Sequence, residues 1–385
     1  MNIIFDDNKL HLAFAPLTLT RPVAELRVGI LTISESWVKM CSKHLDVKSV
    51  EYVTEGYLEN KFEPVNQTGI KIAGNIKPTE ELVQLVCNLQ KGEQLYVNGK
   101  WVATFGVGAK NKVERTLDED RFWYLTKPWH LFQINGQAIR EDFKLLTEGR
   151  TTQQLSGTNR VIGKGDIFIE DGAKIECAIL NTENGPIYIG KDAEVMEGAV
   201  IRGPFALGEH AVIKMSAKIY GDTTIGMHCK IGGEVTNSIF TAYSNKGHDG
   251  FVGNSVIGDW CNLGADTNTS NLKNNYSNVR VYSYETMEME ETGVMFCGVI
   301  MGDHSKTSIN TMLNTASSIG VCANIFGNGF PPKYVPSFSW GAIHSNEKFK
   351  LEKAFEVAEN MMKRRNVALT KGDKNILSYL YEHLA

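Results

Sequence analysis

The chain has little of what would place it in a membrane, a secreted fold or a nucleic-acid complex. Its 385 residues contain no apolar run of membrane-spanning length. The opening segment, Met1-Asn2-Ile3-Ile4-Phe5-Asp6-Asp7, lacks the basic stretch and long apolar core of a signal peptide. The seven cysteines (Cys41, Cys87, Cys177, Cys229, Cys261, Cys297, Cys322) lie far apart with no CxxC pair. That spacing argues against a disulfide framework and for free thiols in a reducing compartment. Net charge is only −4, and basic residues are scattered apart from Lys363-Arg364-Arg365. There is thus no electrostatic reason to expect nucleic acid or an anionic membrane as partner. Together these absences predict a cytoplasmic protein. Hydrophobic residues at 42% and charged residues at 22% are those of an ordinary soluble globular chain, and the length predicts two or more domains.

What is present is a repeat. Ile189, Val195, Ile201, Leu207, Ile213, Ile219, Ile225 and Ile231 follow one another at a constant spacing of six. The positions two before them are mostly small: Ala193, Ala199, Ala211, Ala217, Thr223 and Cys229, with Ile187 and Phe205 the larger members. A period of six fits neither the helix nor the flat strand, so it belongs to a repeat architecture. The physical reading is a parallel β-solenoid, in which short strands turn corners and stack aliphatic residues coil on coil. Small residues sit where the wall bends.

The solenoid is expected over residues 156–335, starting near Val161-Ile162-Gly163. Glu176 to Pro186 reads as a loop that resets the frame. Residues 234–252 break the pattern, and a polar insertion runs from Asn268 to Glu291. Pro331-Pro332 are expected to close the array. Residues 1–155 lack the period and read as an α/β domain. It holds a first strand at Ile3-Ile4-Phe5, a helix after Pro22 carrying Val23, Leu26, Ile30, Ile33 and Trp37, and a helix from Glu80 to Leu89. A hairpin turns at Asn98-Gly99. Residues 336–385 read as a helical tail, begun by Ser345 or Asn346 and with a second helix at Asn375 to Leu384, that caps the open end of the solenoid.

The stretch Gly247-His248 through Phe251-Val252-Gly253-Asn254-Ser255-Val256-Ile257-Gly258-Asp259, Asn262-Leu263-Gly264-Ala265 and Thr269-Ser270-Asn271-Leu272-Lys273 resembles a known site. It is similar to the acetyltransferase site of the bifunctional N-acetylglucosamine-1-phosphate uridyltransferase/glucosamine-1-phosphate N-acetyltransferase family. Ala15-Pro16-Leu17-Thr18-Leu19-Thr20-Arg21-Pro22 resembles the second half of that family's nucleotidyltransferase signature. The resemblance implies a Rossmann-like nucleotidyltransferase domain, a left-handed parallel β-helix of hexapeptide repeats with a C-terminal helical tail, and a homotrimer. It implies acetyl-CoA-dependent N-acetylation of a hexosamine 1-phosphate, and nucleotidyl transfer from a nucleoside triphosphate, with Mg²⁺, to give a UDP-N-acetylglucosamine-like product. Two other readings compete: a nucleotidyltransferase that uses the β-helix as a trimerisation scaffold, and a non-catalytic nucleotide-sugar-binding regulator.

His248 is the expected base, because an imidazole titrates near neutrality and a break between regular coils lets a side chain project. His304 is its rival. Asn262 and Asn271 match sugar- or acetyl-contacting positions, as amides both donate and accept, and Lys273 is a candidate phosphate contact. Phe251 stands where the family has a tyrosine, so the hydroxyl is missing. Lys246, with Arg202, Lys214 and Lys218, is a candidate substitute for an absent phosphate-binding arginine. Ser308 and Asn310 would hydrogen-bond the CoA arm. In the first domain, Arg21 is either a phosphate ligand or the partner of Glu25. Asp6 and Asp7 either hold Mg²⁺ or cap a turn. The family's glycine-rich loop is absent, its place taken by Asp6-Asp7-Asn8-Lys9, and its lysine is Val23. No dedicated metal site is assigned.

Overall fold

In a computed structural model the described residues are 1–65, 68–342 and 347–384. The N-terminal part is built on a six-stranded mixed sheet. Asn2–Asp6 is flanked in parallel by Ser49–Val53 and Ile70–Ala73. Lys100–Phe105 then runs antiparallel to Ile70–Ala73, followed by Glu93–Val97 and Asn111–Arg115. The hairpin turn is as expected, with Asn98 at φ 50° and Gly99 at φ 73°, the paired positive values a two-residue turn demands. Helices α1 (Ile33–Cys41), α2 (Glu80–Cys87) and α3 (Trp129–Thr147) complete it.

The helix expected directly after Pro22 begins only at Ile33. Thr32 and Glu35 form a reciprocal capping box there. Directly after Pro22 the chain makes only a 3-10 turn, Val23–Glu25, and farther on the Asp142 carboxylate accepts from the N–H groups of Ile30 and Leu31 (2.9 and 3.0 Å), which keeps them out of a helical ladder.

The hexad row does what its spacing dictates. Its members alternate among three walls, and all eight side chains are buried. The fold is the left-handed β-helix expected. Nine strands stack in parallel on the first wall, from Ile167–Ile169 to Tyr334–Val335. A second wall follows it in each coil and a third follows that. A regular coil has 18 residues, as in the pairing of Val212 with Lys230. The corner from first to second wall recurs in the left-handed backbone region, at Asp192, His210, His228, Tyr243, Trp260, His304, Cys322 and Phe338, with φ 54–60°. Five of these side chains stack as a ladder, His210–His228–Tyr243–Trp260–His304, with centroids 4.8, 5.0, 4.1 and 6.3 Å apart.

Three irregularities differ from expectation. Glu176 to Pro186 is no simple loop, because Ile179–Asn181 is a strand of the third wall. Residues 234–252 do not leave the solenoid; their coils are shortened, Lys230 pairing with Asn245 and Glu234 with Phe251. The stack continues past Pro331-Pro332 through Tyr334–Val335 and Ser339–Ala342. The insertion is an excursion containing the antiparallel hairpin Arg280–Ser283 with Glu288–Glu291.

The first wall carries the N-terminal part, with α3 lying on it. Gly136 permits the approach: a Cβ there would come within 1.8 Å of Asp222 Oδ1. Beside it Asn135 donates to the Asp222 carbonyl (2.8 Å). Helices α4 (Leu351–Lys363) and α5 (Lys371–Leu384) form the tail; Ser345 and Asn346 lie outside the described residues. Rather than only capping the end, the tail bridges. Ile376, Leu377 and Leu380 share a core with Leu19 and Leu58 of the N-terminal part and with Val321 and Phe338 of the solenoid. No helix among the described residues is long and apolar enough to cross a membrane, and all seven cysteines are free.

Candidate functional site

The corners between second and third walls are regular until residue 231. Residues 196–199 and 214–217 each join two strands, but the next corner is only Gly232-Gly233, and the one after that is 247–250. Gly232 N donates to Lys246 O (2.6 Å) and Glu234 N to Gly250 O (3.1 Å). Gly232 and Gly233 therefore face the four residues Gly247–Gly250, and the longer corner bows outward. His248 sits at the crest of this bow, exposed.

Later corners stack on the same edge. Asp266 N donates to Asp249 O (3.0 Å), and Asn310 N donates to Ala265 O (2.8 Å). Ser308 and Asn310 thus share an edge with His248 two coil steps away, roughly 10 Å at the usual strand spacing. Asn310 is a left-handed corner residue (φ 57°), and Ser308 Oγ lies 3.2 Å from Thr311 Oγ1.

Phe251 and Asn271 meet on the third wall beside the bow. Both lie over Gly253, where a Cβ would come within 2.6 Å of Asn271 Nδ2 and of Phe251 Cζ. Asn271 donates to Asn254 Oδ1 (2.7 Å), and Phe251 N donates to Asn268 Oδ1 (2.8 Å). Asn262 is not with them. It lies on the second wall, between Asn245 and Lys306 in the ladder, so the two amides flank the edge from opposite sides. Lys273 Nζ is turned back on its own loop, toward Ser277 Oγ (3.3 Å) and the Asn278 carbonyl.

Lys246 is not a surface phosphate ligand. It is 1% exposed and donates inward to the carbonyls of Gly232 and His248, each at 2.9 Å. Burial lowers its pKa to about 8, opposed by Asp249 and Asp266. His304 is likewise no accessible base. Its ring is stacked under Trp260, its Nδ1 is buried with no hydrogen-bond partner among the described residues, and burial, aided by Lys306, pulls its pKa down to about 3.

Arg21 binds neither Glu25 nor open solvent. Its guanidinium donates to Asp259 (2.9 Å) and to Asp303, and Thr20 Oγ1 adds a bond to Asp303 (2.7 Å). Burial alone would lower the arginine pKa, but the two carboxylates outweigh it and raise it. The signature loop is thereby clamped to the solenoid through Nη2, while Nε is buried with no hydrogen-bond partner among the described residues. Glu25 accepts instead from Ser34 and Tyr52. Asp7 is occupied by His11 Nδ1 (2.9 Å), Thr54 Oγ1 (2.5 Å) and the N–H of Val23 (2.7 Å). Asp6 accepts from Asn8 N (2.8 Å) and faces Lys71 (3.3 Å). These carboxylates are turn and loop anchors, and the pair does not fit a Mg²⁺ ion. Val23 is fully buried.

Among the described residues, Asp192, Glu209 and His210 have metal-ligand spacing, but they are exposed on the other edge of the second wall. A cavity of about 670 Å³ between α3 and the first coils, lined by Arg140, Lys144 and Lys164, contains none of the expected site residues.

Comparison with known proteins agrees with the resemblance read from the sequence. Residues 2–151 match the family model described as sugar nucleotidyl transferase. Over 221 residues the chain is 28% identical to a bifunctional sugar-1-phosphate nucleotidylyltransferase/acetyltransferase of Sulfurisphaera tokodaii, a match covering 57% of this chain and 48% of that protein. Over 87 residues it is 36% identical to the bifunctional protein GlmU of Methanocaldococcus jannaschii, covering 23% and 21%. The matches span about half of the first relative and a fifth of the second. Solved structures with some likeness include the polySia-specific acetyltransferase NeuO, at 12% identity and TM-score 0.27 over 54% of this chain and 100% of that one. Another is a UDP-N-acetylglucosamine acyltransferase from Campylobacter jejuni, at 10% identity and TM-score 0.25, covering 60% and 97%.

Proposed function

We propose that the solenoid transfers an acetyl group from acetyl-CoA to the amine of a hexosamine 1-phosphate or related amino sugar. The observation that carries this reading is the outward bow of Gly247–Asp249, which presents His248 on the edge that also bears Ser308 and Asn310.

His248 takes a proton from the acceptor nitrogen as that nitrogen attacks the thioester carbonyl. A C–N bond forms, the C–S bond breaks, and CoA leaves with the electron pair and acquires a proton. General-base assistance of this kind contributes typically about 10²–10⁴-fold. Ser308 and Asn310 lie where a pantetheine arm running along the edge would pass, and Asn271 offers an amide to the sugar or its acetyl group. Phe251 presents a ring face in place of a hydroxyl, so the acceptor is held there by stacking against an apolar surface. A second copy of the chain, packed as a trimer, would supply the opposite wall of the groove.

A second reading concerns the N-terminal part. The family match favours nucleotidyl transfer to the sugar phosphate, giving a UDP-N-acetylglucosamine-like product in a cytoplasmic route. The burial of Arg21 against Asp259 and Asp303, with Val23 in the core, favours a domain kept for its contacts with the solenoid. Mg²⁺-dependent pyrophosphate release from a nucleoside triphosphate and a sugar 1-phosphate separates the two.

The test of the main reading is free-thiol release from acetyl-CoA with a panel of amino-sugar 1-phosphates, comparing wild type with His248→Ala. The variant should lose at least about 100-fold in kcat with the fold intact by circular dichroism. Equal turnover would refute the role of His248.

A further inference from the structure

Lys246 occupies a position that its neighbours fill with hydrocarbon. In the second wall Ile175 stacks on Val195, Val195 on Ile213, Ile213 on Ile231, and Ile231 on Lys246. All four aliphatic residues point into the solenoid and are buried, and so is the lysine. An ammonium group in an aliphatic column is unfavourable unless its hydrogen-bonding capacity is met. Here Nζ turns back to the edge and meets two carbonyls on successive coils, Gly232 O and His248 O, each at 2.9 Å. Gly233 makes the room: a Cβ on it would stand 2.7 Å from Nζ and 2.6 Å from Gly250 O, and its φ is +69°.

We infer that Lys246 is a positioning residue for His248, its ammonium tying the crest of the bow to the coil beneath so that the imidazole is held over the edge groove. The bow needs such a tie. The coil beneath offers only Gly232 and Gly233 to this four-residue corner, and its ladder bonds go to Lys246 O and Gly250 O on either side of Gly247–Asp249; from the coil above, Asp266 N reaches Asp249 O. A corner between glycines (Gly247 and Gly250) would otherwise be loose. Bonds donated by a charged group are about twice as strong as neutral ones, and here one such bond holds the carbonyl of His248 itself while the other anchors the ammonium to Gly232 on the coil beneath. The depressed pKa of Lys246 (about 8, from burial) fits an enclosed ammonium, while Asp249 and Asp266 on the same edge favour its charged form.

This inference rests on the proposed acetyl transfer, but one of its tests does not require turnover. Lys246→Met removes the ammonium, leaves an apolar arm one heavy atom shorter, and fills the column with apolar atoms. The fold should therefore survive, with an unchanged or higher melting temperature. If the lysine positions the base, kcat falls on the order of 10- to 100-fold, the size expected for a misplaced catalytic group, while KM for acetyl-CoA is unchanged. Amide hydrogen exchange over residues 247–250 should accelerate in the same variant. Lys246→Gln, which retains N–H donors on a shorter arm, should fall between the two, and it decides the matter if the methionine variant does not fold. Wild-type kcat and wild-type exchange in a folded variant would overturn the inference and leave Lys246 as core filling. An inactive wild type would instead refute the proposed function, with the exchange measurement still deciding whether Lys246 fixes the corner.

Discussion

His304 should make the protein acid-sensitive in a way that one substitution removes. The residue is 9% exposed, its ring stacked under Trp260 with centroids 6.3 Å apart, and its Nδ1 has no hydrogen-bond partner among the described residues. Burial is the main cause of its depressed pKa, about 3. Lys306 and Lys61 push it further down, and Asp259 and Asp373 oppose them. The sign follows from proton counting. In the unfolded chain the imidazole takes up a proton below about 6.5, whereas in the folded chain it stays neutral to about 3. Stability from this group is therefore complete above pH 6.5 and declines as pH falls through the window from 6.5 to 3. The slope is about 1.4 kcal/mol per pH unit, so acidification from pH 6.5 to pH 5 removes about 2 kcal/mol. His304→Phe should keep the ladder, since Phe338 holds the same corner position farther along, while abolishing this slope. Urea unfolding of both proteins between pH 5 and pH 8 measures the difference directly, with every other titrating group held in common. Parallel profiles would show that the imidazole is solvated or hydrogen-bonded, and the burial argument would fall.

Three further substitutions probe how the parts are joined and how the coils pack. Arg21→Ala leaves the carboxylates of Asp259 and Asp303, with side chains 22% and 8% exposed, without their cation, and should cost about 3–5 kcal/mol in urea unfolding. Most of that loss should return when both aspartates are also changed to asparagine; no loss in the single variant would mean the clamp is not holding. Gly226→Ala places a Cβ 1.7 Å from the Thr241 carbonyl oxygen, whereas Gly247→Ala has open space around it. Overpacking should lower the stability of the first by about 1–3 kcal/mol and leave the second unchanged in thermal melts, an outcome that equal melts would contradict.

The solenoid was legible because its code is local: one buried aliphatic residue every six positions, with small residues two before it. What escaped was every place where a corner changed length. A coil shortened at Gly232-Gly233 looks in sequence like an interruption, yet it is the event that pushes His248 outward. The gap therefore marked the segment that presents His248 while hiding why that segment projects. Lys246 read as surface charge because nothing in the one-dimensional pattern says that it continues the column of Ile213 and Ile231. Arg21 read equally as a phosphate ligand or as the partner of Glu25, because its actual partners, Asp259 and Asp303, lie 238 and 282 residues away. The helix of the first domain was begun too early for a similar reason. The apolar spacing runs back to Val23, but the capping box at Thr32 and the long-range hold of Asp142 on Ile30 and Leu31 decide where it starts.

The central claim is that this edge moves an acetyl group onto a sugar amine, and the most direct measurement is the product itself. Purified protein would be incubated with radiolabelled acetyl-CoA and glucosamine 1-phosphate or a related amino-sugar phosphate. Label should appear in an alkali-stable amide on the sugar nitrogen with wild type, and not with His248→Ala. Label that stays on CoA across the whole acceptor panel, or that reaches the sugar equally well without the imidazole, would contradict the account.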